Sequence, residues 1–153
     1  GASQAGWGDS LVLLAGPGEQ RFADELRRYL APLVRQLRLR LWDTSQLQPG
    51  RGCTLQIEEE IRRARVVVPF LSAELLDSEL LNPALLFAFA QQSSGQARVI
   101  PIRARACLAE LVTCMNDLHM LPSDGGLVAD RRDRGRIWAQ VAGCIRLLGN
   151  WGS

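Results

Sequence analysis

The sequence predicts an α/β fold, a parallel sheet with helices on both faces. Three observations carry that expectation. Short continuous apolar runs, suited to strands buried on both sides, recur along the chain. Stretches with apolar residues three and four positions apart separate them, as amphipathic helices require. The two kinds alternate in the order β-α-β-α-β-α-β-(α)-α, which crossover helices on a parallel sheet explain.

The first run, "LVLLAG", places a strand over Leu11–Ala15 and ends it in Gly16. "PGEQ" turns the chain. Phe22, Leu26, Leu30 and Leu33 then repeat at helical spacing. "LRLRLW" alternates strictly and predicts a strand over Arg38–Trp42 with one wetter face. A polar, Pro- and Gly-containing loop follows, "DTSQLQPGRGC". "TLQIEEEIRRA" reads as a helix with Leu55, Ile57 and Ile61 partly inward. Its acids, Glu58 to Glu60, precede Arg62, Arg63 and Arg65, as the helix dipole favours.

"RVVVPFLS" is a buried strand over Val66–Leu71, and "ARVIPIRA" another over Val99–Ile102. Between them Asn82-Pro83 opens a helix, "ALLFAFAQQ" continues it, and Ser93-Ser94-Gly95 stops it. "CLAELVTCMNDL" has helical period and "LPSDGG" is a loop. A last helix covers Asp133 to Leu148, with Ile137, Val141, Ile145 and Leu148 on one face.

A chain of 153 residues makes one domain with a real core. We expect residues 1–10 to be a cloning scar or disordered lead-in and residues 11–150 to form the domain. Apolar residues make up 47% and charged residues 22%, a soluble balance. The net charge of +2 argues against direct nucleic-acid binding. No apolar run reaches the length of a membrane span and no signal peptide is visible, so the expectation is a cytoplasmic protein without membrane contact. All 18 basic residues are arginine, a composition that codon bias in a GC-rich, bacterial genome explains. The four cysteines, Cys53, Cys107, Cys114 and Cys144, form no C-x-x-C pair, and His119 is the single histidine. No metal site is expected.

Ligands of parallel sheets sit at the carboxyl ends of the strands. Here those ends are Gly16, Trp42-Asp43, Ser72 and Arg103. Gly16-Pro17-Gly18 suits a tight turn or a close backbone approach to a ligand. With no lysine it is no Walker loop, and no G-x-G-x-x-G fingerprint is present. Trp42 suits the core edge or a stacking surface. Asp43 suits ribose hydroxyls or a loop cap. Trp138 and His119 read as packing residues, and Asp124, Asp130, Asp133 and Glu74 as solvated charges.

From Glu25 to Leu80 the chain resembles a bacterial Toll/interleukin-1 receptor (TIR) domain. Trp42-Asp43, Pro49-Gly50, Glu58 to Ala64, Ser72 and Ser78 match that family in order and spacing. "ARVIPIRAR" and "LPSDGG…DRGRIWAQVAGCIR" are similar to its fourth strand and final helix. The resemblance spans about Leu11 to Leu148 and implies a flavodoxin-like parallel sheet. It departs from the family at Gly16-Pro17-Gly18, where Ser-Tyr-Ser or Ser-Tyr-Arg is usual.

The resemblance implies one of two functions. NAD-cleaving effector TIR domains break the nicotinamide–ribose bond of NAD⁺ when a fused or partner sensor oligomerises them, as in antiphage defence. Other TIR domains are non-catalytic assembly modules. In the first case NAD⁺ is the substrate, no resident cofactor is needed, and Gly16, Pro17, Gly18, Trp42, Asp43, Ser72 and Ser78 would bind it. The catalytic glutamate stabilises an oxocarbenium-like state. Its position, six residues after Ser78, holds Ala84. Either the natural chain is a scaffold, or an alanine has replaced a native glutamate and inactivated the enzyme. The resemblance also implies homo-oligomers through the loop that carries Leu47, Pro49 and Gly50, with Leu47 exposed. A third class, a flavodoxin-like nucleotide binder such as a deoxyribosyltransferase relative, shares only the sheet.

Overall fold

The computed structural model describes residues 9–48, 50, 52–107 and 120–151. The elements are β1 (Ser10–Leu14), α1 (Gln20–Leu37), β2 (Arg40–Asp43), α2 (Cys53–Arg63), β3 (Ala64–Leu71), α3 (Ala73–Asp77), α4 (Leu81–Ser93), β4 (Arg98–Val99), β5 (Ile102–Arg103) and α5 (Gly135–Leu148). All strand pairs are parallel, in the order β2-β1-β3-β4, and β5 pairs with β3 beyond β4. The α/β fold with helices on both faces is as the alternation predicts.

Period-2 alternation divides the core. Leu11 and Leu13 of β1, with Val66, Val68 and Phe70 of β3, enter one cluster with α1 and α5. Val12 and Leu14, with Val67 and Leu71, enter the other with α2, α3 and α4. Both central strands are therefore apolar on both faces from Leu11 to Leu14 and from Val66 to Leu71, with Ser10 and Arg65 at their starts. Trp138 of α5 anchors the first cluster, with its ring centroid 6.3 Å from Phe22 and 6.1 Å from Phe70.

Four local expectations need correction. The strand expected over Arg38–Trp42 begins two residues later, at Arg40, because α1 runs to Leu37. Arg38 then takes the left-handed conformation, φ 54°, and its amide closes the helix on Val34 O. The run Ala97–Ala104 is not one strand. Pro101 has no N–H for the ladder, and β4 and β5 lie on either side of it. Leu55, expected inward, is 60% exposed, while Ile57 and Ile61 are buried. Leu148, expected on the buried face of α5, is exposed, while Ile137, Val141 and Ile145 are buried. The stretch "CLAELVTCMNDL", with His119, falls almost wholly outside the described residues, as do Pro49 and residues 1–8.

Candidate functional site

The carboxyl ends of β1, β2 and β3 meet where the site was expected. The side chains there are bound to each other. Thr44 ties β2 to β1: its hydroxyl donates to Ala15 O at 2.7 Å and accepts from Ala15 N at 3.2 Å. Asp43 is buried at the head of the following turn. It accepts from the Ser45 amide at 2.8 Å, from the Ser45 hydroxyl, and from Arg27 at 2.5 Å. Burial works to raise the Asp43 pKa. The Ser45 hydroxyl, the Arg27 guanidinium and the Ser45 amide outweigh it and hold the carboxyl below the usual aspartate range. Gln46 completes a capping box by accepting from the Asp43 amide at 3.1 Å. Of the two roles open to Asp43, the structure shows the cap.

A second network surrounds Glu19, which is 1% exposed. Its carboxylate accepts from the Ser72 hydroxyl and, at 3.2 Å, from Arg105 Nε. Ser72 in turn accepts from the Leu75 amide at 3.0 Å, capping α3. Arg105 also reaches Gly18 O at 3.4 Å. Glu74, expected as a solvated charge, is exposed, and it also accepts from the Gly18 amide at 3.1 Å.

The two serines six residues apart thus have a structural account. Ser72 caps the five-residue helix α3. Ser78 follows it and caps the turn that opens α4. Its hydroxyl accepts from the Leu81 amide at 2.9 Å, and its carbonyl accepts from the Asn82 amide at 3.0 Å. Asn82 fixes the junction by donating to Leu76 O at 3.0 Å.

Ala84 lies in the first turns of α4 and is 4% exposed. It belongs to the apolar cluster that includes Trp42, Leu71, Leu75 and Leu85. Trp42 is 7% exposed there, so it packs as a core residue. The structure thus brings Ala84 together with Trp42, and Gly16, Gly18 and Ser72 together around Glu19 and Glu74. Pro17 is exposed at the same turn. Leu47, expected exposed, is half-buried and packs against the second cluster, because its backbone closes the turn onto Thr44 O at 3.3 Å. Gly50 is exposed with φ 82°, a conformation glycine favours.

A cavity of about 320 Å³ lies elsewhere, between α1 and the start of α5, with Arg28, Tyr29 and Arg132 in its wall. In the same wall Glu25 takes two hydrogen bonds from Arg134, at 2.8 and 2.7 Å, and one from the Trp138 indole at 2.8 Å. The Arg134 bonds, against burial and with the indole's help, hold Glu25 below the usual glutamate range. Among the described residues no group of three or more His, Cys, Asp or Glu is placed to hold a metal. Cys53 and Cys144 are free thiols, and no described helix is long and apolar enough to cross a membrane.

Glu19 and Arg105 are the residues that sequence reading missed. They lie 86 positions apart, in a turn and after a strand. Only the place of Glu19, just past a strand end, hinted at it.

A family model described as TIR domain matches residues 16–133. The chain belongs to the TIR domain family. Uncharacterized protein y4lF of Sinorhizobium fredii is 26% identical over 129 residues, covering 84% of this chain. The chain spans about 40% of that relative's length. The TIR domain of the Toll-related receptor TRR-2 from Hydra magnipapillata aligns with a TM-score of 0.58 at 16% identity, over 91% of this chain and 98% of the other. The TIR domains of the activated Roq1 resistosome, which directly recognises the pathogen effector XopQ, align with a TM-score of 0.52 at 16% identity, over 89% and 84%. At such identities the likeness to the two structures is one of fold.

Proposed function

We propose that this TIR domain signals by associating with other TIR domains and does not itself cleave NAD⁺. One observation carries the reading. At the position six residues after Ser78, Ala84 is buried in an apolar cluster, on a helix whose sequence, "LNPALLFAFAQQS", holds no charged residue. The carboxylates that do reach the sheet edge, Glu19, Asp43 and Glu74, are each engaged by donors of the chain itself. Glu19 and Asp43 are buried and held by two or more donors each, and Glu74 is exposed and held by one.

In this reading a fused or partner sensor gathers several copies in the bacterial cytoplasm, in a defence response. The contact includes the exposed turn at Gly50. A head-to-tail contact of that kind propagates beyond a dimer. The matched TIR domains of an activated resistosome are in keeping with association as the working step.

The competing reading is an NAD⁺-cleaving enzyme whose glutamate has been replaced. It draws on the register of Ser72, Ser78 and Ala84. The test is nicotinamide release from NAD⁺ by the chain fused to an inducible oligomerisation domain. We expect association without release, for the chain as it stands and for Ala84→Glu. Release by a folded Ala84→Glu variant overturns the proposal and establishes NAD⁺ as the substrate.

A further inference from the structure

The cavity between α1 and the start of α5 takes no part in the proposed function. Its volume, about 320 Å³, is at the small end of the range for small-molecule sites. Its wall is unusually charged for such a site, with Glu25, Arg28, Arg132, Asp133 and Arg134 all lining it.

Those charges divide into committed and uncommitted ones. Arg134 is committed twice, to the Glu25 carboxylate at 2.7 Å and over the Phe22 ring at 5.4 Å. Glu25 is held in turn by Arg134 and the Trp138 indole. Together they form a fixed, neutral back wall. Arg28 and Arg132 are exposed, and among the described residues neither has an ion pair or hydrogen bond. Asp133 opposes them, and it faces Arg136 at 3.9 Å, with both side chains open to solvent. Two unpaired guanidinia against one carboxylate leave the mouth of the cavity net positive.

Tyr29 adds a neutral donor. Its side chain is half-exposed, and among the described residues its hydroxyl has no hydrogen-bond partner. Gly135 makes room for that hydroxyl. It is not among the glycines with positive φ, so backbone conformation does not call for glycine there. A Cβ on Gly135 would lie 2.6 Å from the Tyr29 hydroxyl oxygen. The missing side chain lets the hydroxyl sit in the cavity wall.

We propose that this cavity is a binding site for a small organic anion, whose phosphoryl or carboxylate groups pair with Arg28 and Arg132 and accept from the Tyr29 hydroxyl. Guanidinium forks suit those groups because each can be held by two parallel hydrogen bonds. A cation would meet Asp133 alone, and an apolar ligand would leave both guanidinia unmatched. The site shares no residue with the networks of Asp43 and Glu19, so it stands whether or not the domain cleaves NAD⁺.

The experiment is calorimetric titration of the chain with pyrophosphate and, separately, with citrate, at fixed ionic strength. We expect saturable binding of at least one, and the tighter of the two tells phosphoryl from carboxylate recognition. Arg28→Gln and Arg132→Gln should each weaken it about tenfold, the loss of one charge-assisted pair. Tyr29→Phe should weaken it about threefold. Asp133→Asn should tighten it. Arg35→Gln removes the same charge two turns further along α1, outside the cavity, and should change nothing. Absence of saturable binding overturns the proposal, as does unchanged affinity in any of the first three variants or weaker binding by Asp133→Asn. A loss with Arg35→Gln equal to that with Arg28→Gln overturns it too, since diffuse charge then explains the binding. Where a variant does not fold, the indole N–H resonances of the unaltered chain read the same question. That of Trp138, in the wall, should shift on saturation while that of Trp42, in the other core cluster, stays. An unmoved Trp138 resonance overturns the site. Dimers in sedimentation that Arg132→Gln dissolves overturn it as well, because a second copy then fills the cavity.

Discussion

The carboxyl edge of the sheet has two halves of opposite character. On one side the turns after β1, β2 and β3 carry Glu19, Asp43, Ser72 and Glu74, linked through Arg27, Arg105 and backbone amides. On the other side α4 presents Ala84, Leu85 and Leu81 to an apolar cluster, with no charge along its length. A hydrolytic site needs a carboxylate that is buried yet uncommitted. The polar half has carboxylates that are committed. The apolar half has room for burial and no carboxylate. Both halves can be tested by moving charge between them.

The largest effect comes from forcing a carboxylate into the apolar half. Ala84→Glu should destabilise the domain by about 4 kcal/mol at pH 8, because burial among apolar groups raises a glutamate pKa by several units. The sign follows from linkage. The folded pKa lies above the unfolded one, so the neutral acid is tolerated at low pH and the cost grows as pH rises past about 4.3. Urea unfolding at pH 5 and pH 8 measures it. A cost near zero at both would mean that the surroundings of Ala84 are built to receive a glutamate, and would favour the enzyme reading.

Emptying the polar half costs less. Glu19→Ala leaves the Ser72 hydroxyl buried without its partner and Arg105 without its carboxylate. We expect a loss of about 3 kcal/mol. Glu19→Gln keeps an acceptor and should lose about half as much. Denaturant midpoints compare the two. Equal losses would show that the charge of Glu19 matters and its shape does not.

Asp43 gives the next effect, and it depends on pH. Its folded pKa is depressed. Its contribution is therefore fully present above the ordinary aspartate value of about 4, and is lost as pH falls through the lower folded value. Asp43→Asn should cost about 2 kcal/mol at pH 7 and flatten the acid limb of a stability-against-pH curve. An unchanged acid limb would place that titration in Glu25, whose pKa is also lowered.

Much of this was legible in the residues and some of it was not. β1 and β3 fall within two residues of expectation, because continuous apolar runs have few other uses in a chain this size. Arg38 and Leu39 misled because the residues that close a helix satisfy an alternating pattern as well as a strand does. Pro101 marked a break that an otherwise apolar run concealed. Trp42-Asp43, Ser72 and Ser78 lie at the strand ends and helix starts as expected, and their side chains serve there as caps and packing. Sequence spacing shows which positions reach an edge. It does not show which partners, such as Arg105 for Glu19, have already taken their hydrogen bonds.

The smallest effect separates a cap from a ligand contact. If Ser78 is only the cap of α4, Ser78→Ala should cost about 1 kcal/mol, because the Leu81 amide loses its acceptor. Ser78→Gly should cost only about a few tenths of that, since glycine frees the cap position to be solvated. A serine that bound substrate would behave otherwise. Both variants would lose ligand affinity equally, whatever their stability. Thermal unfolding of the two variants, beside titration with NAD⁺, therefore tells the roles apart. Stability that ranks serine, then glycine, then alanine, with unchanged affinity, keeps Ser78 in the scaffold. Equal loss of NAD⁺ affinity in both would move it from the apolar half's scaffold into a binding site.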